Sequence, residues 1–165
     1  MALSVDQYVA FGVLFVIAAA VFAVLRWGKD DSPAIAFAQL PDVVRQLATT
    51  GKDGSFACFL LGQRDEDPRQ DVWLQFSIEE NRLGLDWELD QPGNIAEKDR
   101  IIAFAEARGH AINERQKRKW RYLRVEDATV IELGVQIATE LYHVDRGDRI
   151  QTFLYEFVWP PANAS

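Results

Sequence analysis

Residues 8–25 (YVAFGVLFVIAAAVFAVL) open the chain with 18 successive positions that carry no charged or strongly polar side chain. As a helix at ~1.5 Å rise per residue the run reaches ~27 Å, close to the ~30 Å hydrocarbon thickness of a bilayer. It lacks the polar stripe of a soluble surface helix, and Gly12 is no obstacle in lipid, where intrahelical hydrogen bonds are enforced. The pattern predicts a transmembrane anchor: Leu14, Phe15, Ile17, Phe22 and Leu25 supply apolar bulk, while Tyr8 and Trp27 sit at the two edges as interfacial aromatics. A cleaved export signal begins with a positive segment, whereas residues 1–7 hold only Asp6 as a charged side chain. All 18 Lys and Arg lie beyond position 25, with Arg26 and Lys29 immediately after the run. Positive residues stay cytoplasmic, so the expected orientation is amino end out and carboxy-terminal domain inside a cell (inner) membrane. Ala19 and Ala23 have the spacing of a helix-pairing stripe, although alanine is common in any membrane span.

Past a linker at 26–33 (RWGKDDSP), dense in charge, Gly and Pro, the periodicity changes. Pro41 suits a first helical turn, and Val43, Val44 and Leu47 form a short apolar stripe ending near Gly51. Residues 55–62 (SFACFLLG) read as a buried strand, and 63–70 (QRDEDPRQ) as a loop. Val72, Leu74, Phe76 and Ile78 then alternate with polar or aromatic neighbours, as do Leu83, Leu85, Trp87 and Leu89. Two period-two runs around Glu80-Asn81 predict a β-hairpin with one face buried. Asn94 and Glu97 have capping-box spacing, before a helix with Ile101, Phe104 and Ala105 inward that stops at Gly109. Residues 110–116 and 119–125 predict a second hairpin around Lys117-Arg118. Asp127 is the expected cap of a helix whose Val130, Ile131, Gly134, Ile137, Ala138 and Leu141 share an apolar face. Residues 150–159 (IQTFLYEFVW) form a final strand, apolar on both faces. The order is α-β-β-β-α-β-β-α plus a carboxy-terminal strand: an α+β class, an antiparallel sheet flanked by helices on one face. The expected divisions are a tail at 1–7, the anchor at 8–25, the linker at 26–33, the domain at 34–160 and a tail at 161–165.

That order resembles the type III secretion chaperone-like and YbjN-like domains over residues 41–143, most closely in character along LQFSIEENRLGLDWEL, residues 74–89. The resemblance is one of order and patterning, and the chain departs from it in its anchor and its apolar last strand. It implies a binding or chaperone-type role without catalysis.

Composition narrows the chemistry. Apolar residues are 48% of the 165 and the net charge is −7, which argues for a folded core and against global attraction to nucleic acid. One cysteine, Cys58, leaves no intrachain disulfide and no thiolate-rich zinc site; in its apolar strand it reads as a small, unreactive core residue. The segment Gly51-Lys52-Asp53-Gly54-Ser55 lacks phosphate-loop spacing and reads as a turn. His110 and His143 have no zinc-motif partners. Asp86 and Glu88 share a strand face, with Glu79 near across the hairpin. Paired carboxylates can divide acid and base roles, but alternation with Leu85 and Trp87 explains them as a solvated face. No catalytic, metal or cofactor-binding set emerges, and no cofactor is expected.

Two features stand above this background. Arg115, Lys117, Arg118, Lys119, Arg121 and Arg124 put six cations in ten residues with Trp120 and Tyr122 interleaved and no acid among them. Such a segment contacts anionic lipid headgroups or an acidic partner, binds phosphates and stacks bases of a nucleic acid, or pairs across strands with Asp86, Glu88 or Asp90. In the last strand Phe153, Tyr155, Phe157 and Trp159 fall on one face, with Leu154 and Val158 on the other. A strand of that kind is central in a sheet, or at an edge a site for strand addition or dimerisation. The leading expectation is a single-pass, non-catalytic protein-binding module whose partners are the bilayer and another membrane protein, with homo-oligomers allowed. The alternatives are a sensor of anionic lipid through residues 115–124 and, behind it, an enzyme using the carboxylates on a membrane-linked substrate.

Overall fold

The computed structural model describes residues 34–62 and 70–159, which belong to one unit, Pro33–Ser165. The expected anchor with Tyr8, Leu14, Phe15, Ile17, Phe22, Leu25 and Trp27, the linker 26–33, most of the loop 63–70 and the tail 161–165 lie outside the described residues. Among the described residues, no helix is long and apolar enough to cross a membrane.

The described strands are β1 (Ala34–Ala36), β2 (Phe56–Gly62), β3 (Val72–Glu79), β4 (Arg82–Glu88), β5 (Asn113–Lys117), β6 (Trp120–Val125) and β7 (Arg149–Tyr155). They pair antiparallel throughout, in the order β1-β7-β2-β3-β4-β6-β5. The helices are α1 (Leu40–Thr50), α2 (Pro92–Ala96), α3 (Lys98–Glu106) and α4 (Val130–Gln136), the last running into a π turn at Ile137–Leu141. The α+β class, the antiparallel sheet and the two hairpins agree with the reading from periodicity.

In α1, Pro41 stands in the first turn, Leu40, Val43, Val44 and Leu47 are buried, and the Gly51 N–H closes the end on the Leu47 carbonyl at 2.8 Å. The β3–β4 turn places Glu80 and Asn81 at φ 53° and 61°, the pair of left-handed residues that matches the twist of a two-residue hairpin. Ala57, Phe59, Leu74, Phe76, Leu85, Trp87 and Leu123 on the strands join Leu47, Ile101, Leu133 and Ile137 on the helices in one apolar cluster. Gly134 lets α4 lie close to the sheet, because a Cβ there would come within 2.4 Å of the Phe76 ring.

Helices α1, α3 and α4 all contribute to that cluster. Strand side chains alternate in direction, so Phe56, Cys58 and Leu60 of β2 point to the opposite face, helix-free among the described residues, and they stand outside the cluster. By register Gln75 and Ser77 of β3, Asp86 and Glu88 of β4, Tyr122 and Arg124 of β6, and Phe153 and Tyr155 of β7 share that face.

Several local expectations are corrected. The Asn94–Glu97 capping box does not form: Gln91 is the cap residue and Glu97 separates α2 from α3. The Asn94 side chain instead satisfies both backbone groups of Trp73, at 2.9 Å each, while the Asn94 backbone carbonyl accepts the buried Trp87 indole N–H at 2.9 Å. A peptide-like amide is the side chain that matches a strand's donor and acceptor together. Asp127 stands two residues before the cap position of α4, Thr129, and accepts its N–H and hydroxyl at 2.9 Å each. On α4, Leu133 is fully buried, whereas Ile131 and Leu141 are only half-buried. The last strand ends at Tyr155, because Glu156 turns to φ 57°. That turn breaks the alternation, so Phe157 and Trp159 pack on the main cluster while Tyr155 stays on the helix-free face. β7 is internal, but its neighbour β1 pairs only with residues 149–151.

Candidate functional site

The helix-free face divides into a charged half on β3, β4, β5 and β6 and an apolar half on β2 and β7. The charged half centres on Arg124, which is 1% exposed. Its register partner is Asp86, and the guanidinium donates to Asp86 Oδ1 at 2.6 Å and to Ser77 Oγ at 2.8 Å. Ser77 in turn donates its hydroxyl to Asp86 Oδ2 at 2.5 Å. Arg124 Nε donates to Glu126 at 2.6 Å, and Nη2 to the Arg82 carbonyl at 3.2 Å. Arg115 grips the Glu126 carboxylate with two bonds of 2.9 Å and lies 3.6 Å from Glu79. Tyr122 donates to Glu79 at 3.1 Å, and Arg82 reaches Glu126 at 3.1 Å.

Arg82, Arg115 and Arg124 thus face Glu79, Asp86 and Glu126, a cluster balanced in formal charge. Bidentate, charge-assisted bonds of this kind are the strong ones, and balance is what makes burying them tolerable. Gly84 belongs to the same design: a Cβ there would lie 2.3 Å from Arg124 Cζ, so the guanidinium lies flat across the β4 backbone. Burial raises the Asp86 carboxyl above its ordinary value, with Arg124 and Ser77 pulling the other way. Burial also works against the charge on Arg124 and on Glu126, but their partners outweigh it, lifting the Arg124 pKa and lowering that of Glu126.

Asp86 and Glu88 are therefore not on a solvated face. Asp86 is 2% exposed because the cross-strand Arg124 pairs with it, and Glu88 two positions on is half-buried. Glu88 is pushed up to about 8, first by burial and then by Asp90 and Asp86. The Asp90 carboxyl is raised as well, chiefly by burial. Glu88 therefore holds a proton more readily than an exposed carboxyl does.

The basic segment separates into two groups. Arg115 and Arg124 enter the network, and Arg121 pairs with Glu114, which Lys98 also holds at 2.7 Å. Lys117, Arg118, Lys119 and Trp120 occupy the β5–β6 turn, with Arg118 at φ 59° and Lys119 Nζ 4.9 Å from the Trp120 ring centre. The apolar half holds Phe56 stacked on Tyr155 (centroids 5.1 Å, planes 12° apart) and near Phe153 at 5.8 Å. Cys58 is buried there, its thiol donating to Gln75 at 3.1 Å and its pKa raised well above the ordinary value by burial.

The histidines stand apart. His110 Nδ1 lies 2.6 Å from Asp127 Oδ2, and His143 is the left-handed residue after the π turn, where the Val144 N–H bonds the Ala138 carbonyl. An open cleft of about 450 Å³ beside His143 is lined also by Leu60, Tyr142, Arg149 and Gln151. Arg149 there donates to the Ala34 carbonyl at 2.5 Å. Among the described residues, no group of three or more His, Cys, Asp or Glu is placed to hold a metal ion.

Sequence reasoning passed over Ser77, Arg82, Gly84 and Glu126. Gly84 carried a usable signal, since glycine inside an otherwise strong strand marks a close approach. Glu126, just past the basic run, carried none until pairing brought Arg115 beside it. Comparison with family models, with curated proteins and with solved structures returns no match.

Proposed function

We propose that the chain is a single-pass membrane protein whose α+β domain lies on the cytoplasmic side and binds another protein without catalysis, as an assembly factor, adaptor or accessory subunit of a membrane complex. The observation that carries this reading is the uncharged 18-residue run at 8–25, followed at once by Arg26 and Lys29. The binding role draws support from the helix-free face. Its charged half is closed on itself by opposite charges, while its apolar half holds the half-buried Tyr155 stacked on Phe56. Stacked aromatics carry large contact area at low entropic cost, the property that enriches them in protein interfaces.

The test is crosslinking and co-purification of the full chain from native membranes in mild detergent. One defined partner is expected, retained by the parent chain and lost on Tyr155→Glu. A chain that crosslinks to nothing beyond lipid, or keeps its partner in that variant, overturns the reading.

A further inference from the structure

We infer that the fork between β2 and β7 takes up an extended peptide segment of a partner protein, held through the segment's main chain as a short added strand. The inference rests on the protein-binding part of the reading above and names a second place of contact, at the other end of the β2–β7 pair from the Phe56–Tyr155 stack.

β7 has a neighbour on each side. Towards β1 its residues 149–151 pair with Ala34–Ala36. Towards β2 it is paired only from Thr152 to Tyr155, opposite Phe59 back to Phe56. Beyond the Phe59–Thr152 pair each strand runs on for three residues, to Gly62 and to Arg149, without pairing to the other. The cleft of about 450 Å³ lies in that fork, lined from one strand by residues 60–62 and from the other by 149–151, with Tyr142 and His143 also in its wall.

Three departures from regular backbone meet there. Leu61 is a bulge, since Leu60 pairs with Trp73 while Gly62 already pairs with Val72. A bulge bends its strand, which accounts for β2 leaving β7 at this point. The π turn at Ile137–Leu141 ends beside the cleft, and His143 is left-handed at φ 55°. Bulges and π turns recur next to functional sites, and a left-handed residue other than glycine is held against its own preference.

A strand side without a neighbour presents N–H and C=O groups as a template for another chain, and extended peptides join sheets in this way. β7 already holds a three-residue strand along 149–151, on its β1 side, so the same stretch has the geometry of a ladder. A small ligand fixed by side chains needs convergent polar groups. Here the Asp148 carboxylate accepts the Asp145 N–H at 2.8 Å, and the Arg149 guanidinium donates to the Ala34 carbonyl; both are turned to backbone. Leu60 and the Tyr142 ring add apolar surface for one side chain of the segment.

The experiment immobilises the full chain in nonionic detergent and selects from a library of random octapeptides. One selected peptide is synthesised with a fluorescent label, unmodified and with alternate amides N-methylated, and binding is followed by anisotropy. Methylation removes main-chain donors and is expected to weaken binding about tenfold. With the unmodified peptide bound, amides at 60–62 and 149–151 are expected to exchange several-fold more slowly, while those of the β3–β4 hairpin are unchanged. Gly62→Val fills the fork; its Cβ meets only Tyr142 Cδ1, at an ordinary 3.6 Å, so the hairpin should keep its protection while the peptide is lost. If that variant unfolds the hairpin, the exchange map of the parent chain decides alone. No peptide enriched over bare resin overturns the inference, as does equal binding of the methylated form. Protection confined to residues near Phe56 and Tyr155 overturns it in favour of the aromatic stack. The peptides replace the native partner, so this outcome is separate from the crosslinking that tests the partner itself.

Discussion

Replacing Arg124 with methionine would keep the length of the side chain and remove its charge, leaving Asp86 buried at 2% exposure with only Ser77 to hold it. Breaking a buried pair by removing one partner costs about 3–5 kcal/mol, and urea unfolding of the Arg124→Met variant should register a loss of that size. A loss below about 1 kcal/mol would mean that water reaches the carboxylate. Gly84→Ala tests the same contact from the other side. Its Cβ displaces a guanidinium pinned by Asp86, Ser77 and Glu126, at about 1–3 kcal/mol. In the Arg124→Met background that penalty should shrink, since neighbours sharing one contact are not additive. Glu88 sets the pH response. Its carboxyl is held at about 8 against an ordinary 4.5, so the folded state binds more protons than the unfolded one across that window. The stabilisation is complete below the lower value and is lost as pH rises through the upper one, by at most ~1.4 kcal/mol per pH unit. Denaturation midpoints measured across the window should fall with pH, and Glu88→Gln should flatten the slope. A parent chain that gains stability over the same range contradicts this account of Glu88.

At the scale of elements, the β3–β4 hairpin is the best-determined piece and still holds a removable strain. Glu80 at φ 53° and Asn81 at φ 61° occupy a conformation that glutamate adopts poorly. Asn-Gly is the pair this turn favours. The double change Glu80→Asn, Asn81→Gly should stabilise the domain by about 0.5–1 kcal/mol, after a small loss from the exposed Glu80–Arg82 pair at 3.4 Å; thermal unfolding measures it. This hairpin was readable from sequence because Val72, Leu74, Phe76 and Ile78 repeat with a period of two, a local property that sheet pairing reinforces. The α1 stripe and the buried β2 were readable for the same reason. Asn94 misled because its three-residue spacing to Glu97 is also local, whereas its real partner, Trp73, lies 21 positions back. The charged cluster stayed hidden for a related reason. Ser77, Asp86 and Arg124 meet only when β3, β4 and β6 are side by side, and periodicity assigns a residue to a face without stating whether a cross-strand arginine will cover it. β7 was misjudged in length, because a left-handed residue at Glu156 is not a position where glutamate is expected.

For the whole molecule, the domain at Pro33–Ser165 holds its own core and its own balanced ion network. The membrane reading therefore depends on the anchor and not on the fold. Cell fractionation followed by alkaline carbonate extraction of the full-length chain tests that reading most directly. The account predicts that the intact protein, still carrying its first 25 residues, stays in the membrane pellet after extraction. Recovery in the soluble fraction, or a membrane-free product that has lost those residues, would contradict it.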